Sequence, residues 1–154
     1  MGSGVKSPHA VLFACNFNRV RSPMAEGLLK KLAGRSIYVD SCGLRHEAGE
    51  GAEGVDPFTR AVMAEVGVDL ADYAPKTFDE LEDDSFDLVI SLTPEAQHRA
   101  VELTRGRAVE IEYWPTYDPT LAEGSRESRL AAYREVRDVL ARRIAERFGG
   151  GTAG

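Results

Sequence analysis

Short apolar runs alternate with segments of helical period along this chain, and that alternation narrows the possible folds more than any other feature. Ala10 to Ala14 (AVLFA) reads as a buried strand. Behind it Met24, Leu28, Leu29 and Leu32 recur at helical spacing, with Ser22 placed to cap the helix, Pro23 in its first turn and Gly34 at its end. Ser36 to Ser41 reads as a second strand, Phe86 to Ser91 as a third and Ala108 to Ile111 as a fourth. Asp56-Pro57 opens a helix carrying Phe58, Ala61, Val62 and Val66, stopped at Gly67. Lys76 to Leu81 forms a short helix, and Thr93-Pro94 opens another that runs to Glu102. Ser125 to Phe148 is the longest, with Leu130, Tyr133, Val136, Leu140, Ile144 and Phe148 on one face. Its arginines, interleaved with glutamate and aspartate, read as a solvated face laced by salt bridges rather than an anion site. Strands separated by helices need crossover connections, so the expected fold is α/β, a three-layer αβα sandwich around a four-stranded parallel sheet.

The remaining chain adds limits. At 154 residues one domain is expected, over 9–148, with flexible ends at 1–8 and 149–154. Met1 to Gly4 reads as a remnant of expression. Gly43 to Asp56 and Glu112 to Gly124 read as surface loops. A formal charge of −6 argues against a nucleic-acid partner. No apolar run approaches the about 20 residues that span a bilayer, so no membrane partner is expected. Met1 to Pro8 is too short and polar for a signal peptide, which points to a cytoplasmic home. Two cysteines make no disulfide framework, and His9, His46 and His98 are scattered, so no metal is expected.

The chemistry concentrates in CNFNRVRSP, residues 15 to 23, between the first strand and the first helix. In parallel sheets ligands bind beyond the carboxyl ends of the strands, where Cys15 sits. A loop entering a helix N-terminus aims several backbone N–H groups at one spot, which favours an anion and equally a thiolate. Ser22 is placed to donate a hydrogen bond to the sulfur. Arg21 supplies a planar fork for two phosphate oxygens. Asn18 tolerates the left-handed backbone that a tight cradle needs. Singly, Cys15 reads as a small buried hydrophobe and Arg21 as a surface residue; together, after a strand and before Ser-Pro, they read as a site. Asp118, in Tyr117-Asp118-Pro119 after the last strand, is the candidate proton donor to a leaving alkoxide or phenoxide. Asp56-Pro57 is the same dipeptide and is assigned to helix capping.

With VLFACNFNRVRSPMAEGLL near the N-terminus and Asp-Pro late in the chain, residues 9 to 148 resemble the low-molecular-weight protein tyrosine phosphatases. Thioredoxin-type arsenate reductases share that scaffold. The resemblance implies the phosphotyrosine phosphatase I-like fold and a phosphate-binding loop of Asn16, Phe17, Asn18, Arg19, Val20 and Ser22 around three catalytic residues. Cys15 would be the nucleophile, Arg21 the phosphate clamp and Asp118 the general acid. It also implies that Asn18, Ser22 and Ser41 brace the loop. The implied substrate is a phosphotyrosine protein or a small aryl phosphate, hydrolysed through a phosphocysteine, with inorganic phosphate as product and no cofactor.

The chain departs from the family pattern in several places. Phe17 replaces a glycine, Arg19 adds a charge at the rim, and Val20 stands where many members carry a second cysteine. Thr120 and Leu121 follow Asp118-Pro119 where aromatics are usual. Leu44, Arg45 and His46 stand where an aromatic wall is usual, and Asp72 stands at the position of a bracing histidine. Phe17, Tyr113, Trp114 and Tyr117 are the aromatics available to build a wall elsewhere or simply to pack. Cys42 reads as a buried inert cysteine, or as a disulfide partner of Cys15 if their Cα atoms come within ~7 Å. Two rival functions stand beside the phosphatase: an arsenate reductase using an external thiol, and a non-catalytic phosphate-binding regulator.

Overall fold

The computed structural model describes residues 7–83 and 85–149. Of the ends expected to be flexible, only Ser7, Pro8 and Gly149 lie within them. Four parallel strands, β1 (Ala10–Cys15), β2 (Tyr38–Gly43), β3 (Leu88–Ser91) and β4 (Glu110–Tyr113), form one sheet in the order β2-β1-β3-β4. The helices are α1 (Arg21–Ala33), α2 (Pro57–Ala64), α3 (Pro94–Thr104) and α4 (Arg126–Ile144).

Alternation along the strands divides the core. Val11, Phe13 and Cys15 of β1 share one cluster with Leu88, Ile90, Met24, Leu29, Val62, Leu140 and Ile144, so α1, α2 and α4 cover that face. Leu12, Ala14, Cys42 and Val89 point the other way, onto Ala96 and Ala100 of α3. Because β1 is central and buried on both faces, its sequence is an unbroken apolar run. The expected three-layer αβα architecture is observed.

The strand ends differ from the sequence reading, and pairing explains why. β2 runs two residues later than Ser36 to Ser41, because it pairs with β1 from Ala10 opposite Tyr38 to Cys15 opposite Gly43. Ser36 instead closes the turn after α1, its hydroxyl donating to the Ala33 carbonyl at 2.7 Å. β4 is also displaced toward its carboxyl end, set by Leu88 opposite Glu110 and Ser91 opposite Tyr113. β3 starts at Leu88 because the Asp87 carboxylate accepts from the backbone N–H groups of His9 (2.9 Å) and Ala10 (3.1 Å), fixing the entry of β1. The short helix expected at Lys76 to Leu81 is a single 3₁₀ turn, Phe78–Glu80. Leu32 is 49% exposed rather than in the core; the inner face of α1 ends at Leu28 and Leu29. Asp56, Thr93 and Ser125 cap α2, α3 and α4 as expected.

The loop after β1 rests directly on the end of β2. A Cβ on Gly43 would lie 2.8 Å from Asn18 N, 2.8 Å from Phe17 C and 2.9 Å from Asn16 O, all backbone atoms. Backbone cannot yield as a flexible side chain does. Gly43→Ala is therefore expected to cost about 1–3 kcal/mol, the range for overpacking, and to shift the amide resonances of Asn16 to Asn18. A variant that melts with wild type and leaves those resonances in place would remove this contact as the support of the loop.

Candidate active site

The loop from Cys15 to Ser22 is held from every side. Asn16 accepts through its side chain from the Thr93 hydroxyl (2.7 Å) and through its carbonyl from Leu44 N (2.8 Å) and Arg45 N (3.2 Å). Val20, not Ser22, is the cap residue of α1, and no side-chain cap hydrogen bond is made there among the described residues. The helix N-terminus thus opens toward the loop interior with donors available for an anion. Ser22 is buried, and its hydroxyl lies 2.9 Å from Cys15 Sγ.

Asn18 is the single non-glycine residue with positive φ among the described residues, at 57°. Its amide nitrogen donates to Ser22 Oγ (2.8 Å) and Ser41 Oγ (3.0 Å), and its amide oxygen accepts from Tyr73 OH (2.9 Å) and Lys76 N (3.0 Å). Ser41 in turn donates to Glu26 Oε1 at 2.6 Å, and Glu26 Oε2 pairs with Lys30 at 2.6 Å. Ser22 Oγ accepts from Asn18, and the Ser22 hydroxyl is within reach of both the Cys15 sulfur (2.9 Å) and the Cys42 carbonyl (3.4 Å). Ser41 donates to Glu26, and the Tyr73 hydroxyl, which also touches Ser41, donates to Asn18. Burial, and then the Glu26 charge, push the Tyr73 hydroxyl well above its ordinary ionisation range, which keeps it a donor.

The bracing set of Asn18, Ser22 and Ser41 is brought together as expected. Asp72 is not part of it: that residue is exposed, and its neighbour Tyr73 makes the contacts. Tyr73, Glu26, Lys76 and Thr93 escaped the sequence reading. Their contacts to the loop and to β2 are mostly long-range, with no local pattern. Glu26 alone left a trace, as a single acid within the apolar first half of α1.

In front of the loop is a cavity of about 210 Å³, lined by Cys15, Phe17, Arg21, Asp56, Asp118 and Tyr133 among others. Arg21 donates to the Thr116 carbonyl (3.0 Å) and stands 3.8 Å from Asp118 Oδ2. Asp118 Oδ1 accepts from Thr120 N (3.0 Å) and Thr120 Oγ1 (2.7 Å), so Oδ2 is the oxygen turned to the cavity's arginine. Asp56 reaches the same cavity, but Oδ2 caps α2 through Phe58 N (3.0 Å) and Thr59 N (3.2 Å), and Tyr133 also hydrogen-bonds its carboxylate. Burial and that aspartate push the Tyr133 hydroxyl upward, so it too stays protonated.

Arg19 is not a loose charge at the rim. It donates to Gly54 O (2.7 Å), Gly51 O (3.0 Å) and Glu47 Oε1 (2.7 Å), tying the glycine-rich loop to the cavity edge. Phe17 forms one wall, with the Arg45 guanidinium 5.6 Å from its ring centre. Trp114 is core, 6.1 Å from Phe13, and Tyr113 and Tyr117 do not line this cavity.

The two cysteines face opposite ways. Cys42 pairs with Ala14 across the strands and lies in the α3-side cluster, whereas Cys15 belongs to the other face. Side chains on opposite faces cannot meet the disulfide geometry without breaking the sheet. Burial, and then the neighbouring Cys15, push the Cys42 thiol well above its ordinary value. Iodoacetamide on the native protein is therefore expected to label Cys15 and spare Cys42. Mild peroxide is expected to give sulfenic acid at Cys15 and then irreversible forms. A rapid Cys15–Cys42 disulfide seen by mass spectrometry would contradict this placement.

Residues 10–147 match the family described as low molecular weight phosphotyrosine protein phosphatase. An arsenate reductase of Halalkalibacterium halodurans is 34% identical over 134 residues, covering 87% of this chain and 91% of that protein. A low molecular weight protein-tyrosine-phosphatase of Streptomyces coelicolor is 34% identical over 129 residues, covering 75% of this chain and 73% of the relative. In structure, the Erwinia amylovora tyrosine phosphatase AmsI superposes with a TM-score of 0.72 at 21% identity, over 94% of this chain and 93% of its own. A cysteine-bearing loop opening into a helix on a four-stranded parallel sheet is thus explained by descent: the chain belongs to the low-molecular-weight phosphotyrosine protein phosphatase family.

Proposed function

We propose that the protein is a phosphatase of phosphotyrosine and aryl phosphate monoesters, working through a phosphocysteine. The observation that carries this reading is a carboxylate, Asp118 Oδ2, turned toward the loop arginine across the cavity that Cys15 lines. The Cys15 thiolate attacks phosphorus, stabilised by the Ser22 hydroxyl. A sulfur–phosphorus bond forms as the phosphorus–oxygen bond to the leaving group breaks. Arg21 and the first-turn amides of α1 hold the equatorial oxygens, where charge spreads in the transition state. Asp118 gives its proton to the departing oxygen. Water then attacks the phosphocysteine and gives Asp118 a proton, releasing phosphate and the thiolate. Asp118 suits this role better than Asp56, because both functions of Asp56 are engaged in capping α2 and holding Tyr133.

Arsenate reduction is the second reading, supported by relatives that carry that name. Arsenate would enter the same loop, but its reduction needs a further thiol to take over the arsenic. Cys42 faces the wrong side of the sheet, so a small thiol or a redoxin would have to supply it. A steady-state assay with p-nitrophenyl phosphate beside Cys15→Ser, and an arsenate assay with and without glutaredoxin, separates the two. Binding of phosphate with neither activity would leave the regulator.

If Asp118 protonates the leaving oxygen, its loss matters most when that oxygen is basic. Tyrosine, with a pKa of about 10, leaves poorly without a proton, whereas an activated nitrophenolate leaves readily. In single turnovers Asp118→Asn is expected to slow phosphotyrosine more than p-nitrophenyl phosphate, by a factor within the ~10²–10⁴ range of general-acid effects. Asp56→Asn is expected to lower stability through its lost cap without that leaving-group dependence. The reverse pattern would make Asp56 the acid.

A further inference from the structure

Carboxylates around the cavity are already engaged. Glu47 is paired with Arg19, Asp56 caps α2, Asp118 faces Arg21, and Glu127 lies 3.7 Å from Arg134. Farther along α4 the expected salt-bridged face is present: Arg134 binds Glu65 with two nitrogens at 2.9–3.1 Å, and Arg137 binds the same carboxylate at 2.8 Å. The first turn of α4 departs from that pattern. Arg126 and Arg129 are exposed, and neither makes an ion pair among the described residues. Their guanidinium carbons lie 5.2 and 4.7 Å from the centre of the Phe58 ring, and Arg129 lines the cavity. Phe17, which lines the same cavity, carries exposed Arg45 in the same manner, also without an ion pair among the described residues.

We propose that these three arginines form a docking surface for acidic residues flanking the phosphorylated residue of a protein substrate. This rests on the phosphatase reading and narrows its substrate class. A guanidinium held against an aromatic face keeps its N–H edge available for a carboxylate, and its side chain is partly ordered before binding. The overall charge of −6 does not defeat such a surface. At physiological ionic strength, charges beyond about 8 Å are largely screened, so the nearest cations govern. Arg129 and Phe17 line the cavity itself, so acidic residues next to the phosphorylated residue are the ones that meet these cations.

Binding to the Cys15→Ser protein tests this without requiring turnover. Fluorescence anisotropy compares phosphotyrosine peptides whose flanks are acidic, neutral or lysine-rich. The acidic peptide is expected to bind about tenfold more tightly than the neutral one, as three exposed pairs of ordinary strength would give. The preference is expected to shrink at 0.5 M salt. In Cys15→Ser, replacing Arg45, Arg126 and Arg129 together by glutamate is expected to reverse it in favour of the lysine-rich peptide. Arg126→Glu alone, an exposed change at the start of α4, is expected to move in the same direction if the triple variant folds poorly. Equal affinities for the three peptides, or no binding of any, would overturn the surface. Wild-type protein that fails to hydrolyse p-nitrophenyl phosphate, while the binding preference persists, would sink the phosphatase reading and leave the docking surface standing.

Discussion

The site depends on one side chain, the amide of Asn18. A left-handed backbone at a non-glycine residue is unfavourable by itself, yet the loop from Cys15 to Ser22 turns on that bend. Asn18 holds it because its side chain makes four hydrogen bonds, to α1 through Ser22, to β2 through Ser41, and to the segment before the 3₁₀ turn through Tyr73 and Lys76. Those partners come from three different parts of the chain. The loop therefore takes its shape only when the sheet, the first helix and the 73–76 segment are assembled. Removing the amide would strand several buried polar groups, each at about 1–3 kcal/mol, so the cradle and the fold rise and fall together.

The same logic sets the direction of the field at the sulfur. Ser22 Oγ receives a bond from Asn18, which leaves its single hydrogen for the two groups on its other side, the Cys15 sulfur at 2.9 Å and the Cys42 carbonyl at 3.4 Å. The uncapped first turn of α1 adds positive potential from behind. Ser22 lies two positions past the cap residue Val20, so its hydroxyl meets the Cys15 sulfur rather than capping the first turn.

Much of this was legible in the sequence, and the parts that were not share a cause. The layers, the strand count and the Cys15–Arg21–Ser22 grouping follow from local period and local chemistry. Strand ends do not, because β2 and β4 are placed by pairing with strands distant in the chain; their own propensities would start them two residues earlier. Leu32 satisfied the helical spacing but fell beyond the reach of the core. Asp72, at the position of the family's bracing histidine, is exposed, and the contact to Asn18 comes from half-buried Tyr73 beside it, which no local pattern marks. The two Asp-Pro dipeptides lie in one cavity, and the capping role that the sequence assigns to Asp56 is observed, with a further engagement at Tyr133 that no local pattern shows.

A tyrosine in the brace has a consequence for pH. A histidine there would titrate near neutrality, and its change of charge would reach the loop through Asn18. The Tyr73 hydroxyl is pushed upward by burial and by Glu26, so it carries its proton throughout the physiological range. The negative charge of Glu26 is met instead at the surface by Lys30, a strongly basic partner one helical turn on. The tyrosine of the brace therefore keeps one protonation state near neutrality, where a histidine in its place would change its own and alter the bond it makes to Asn18.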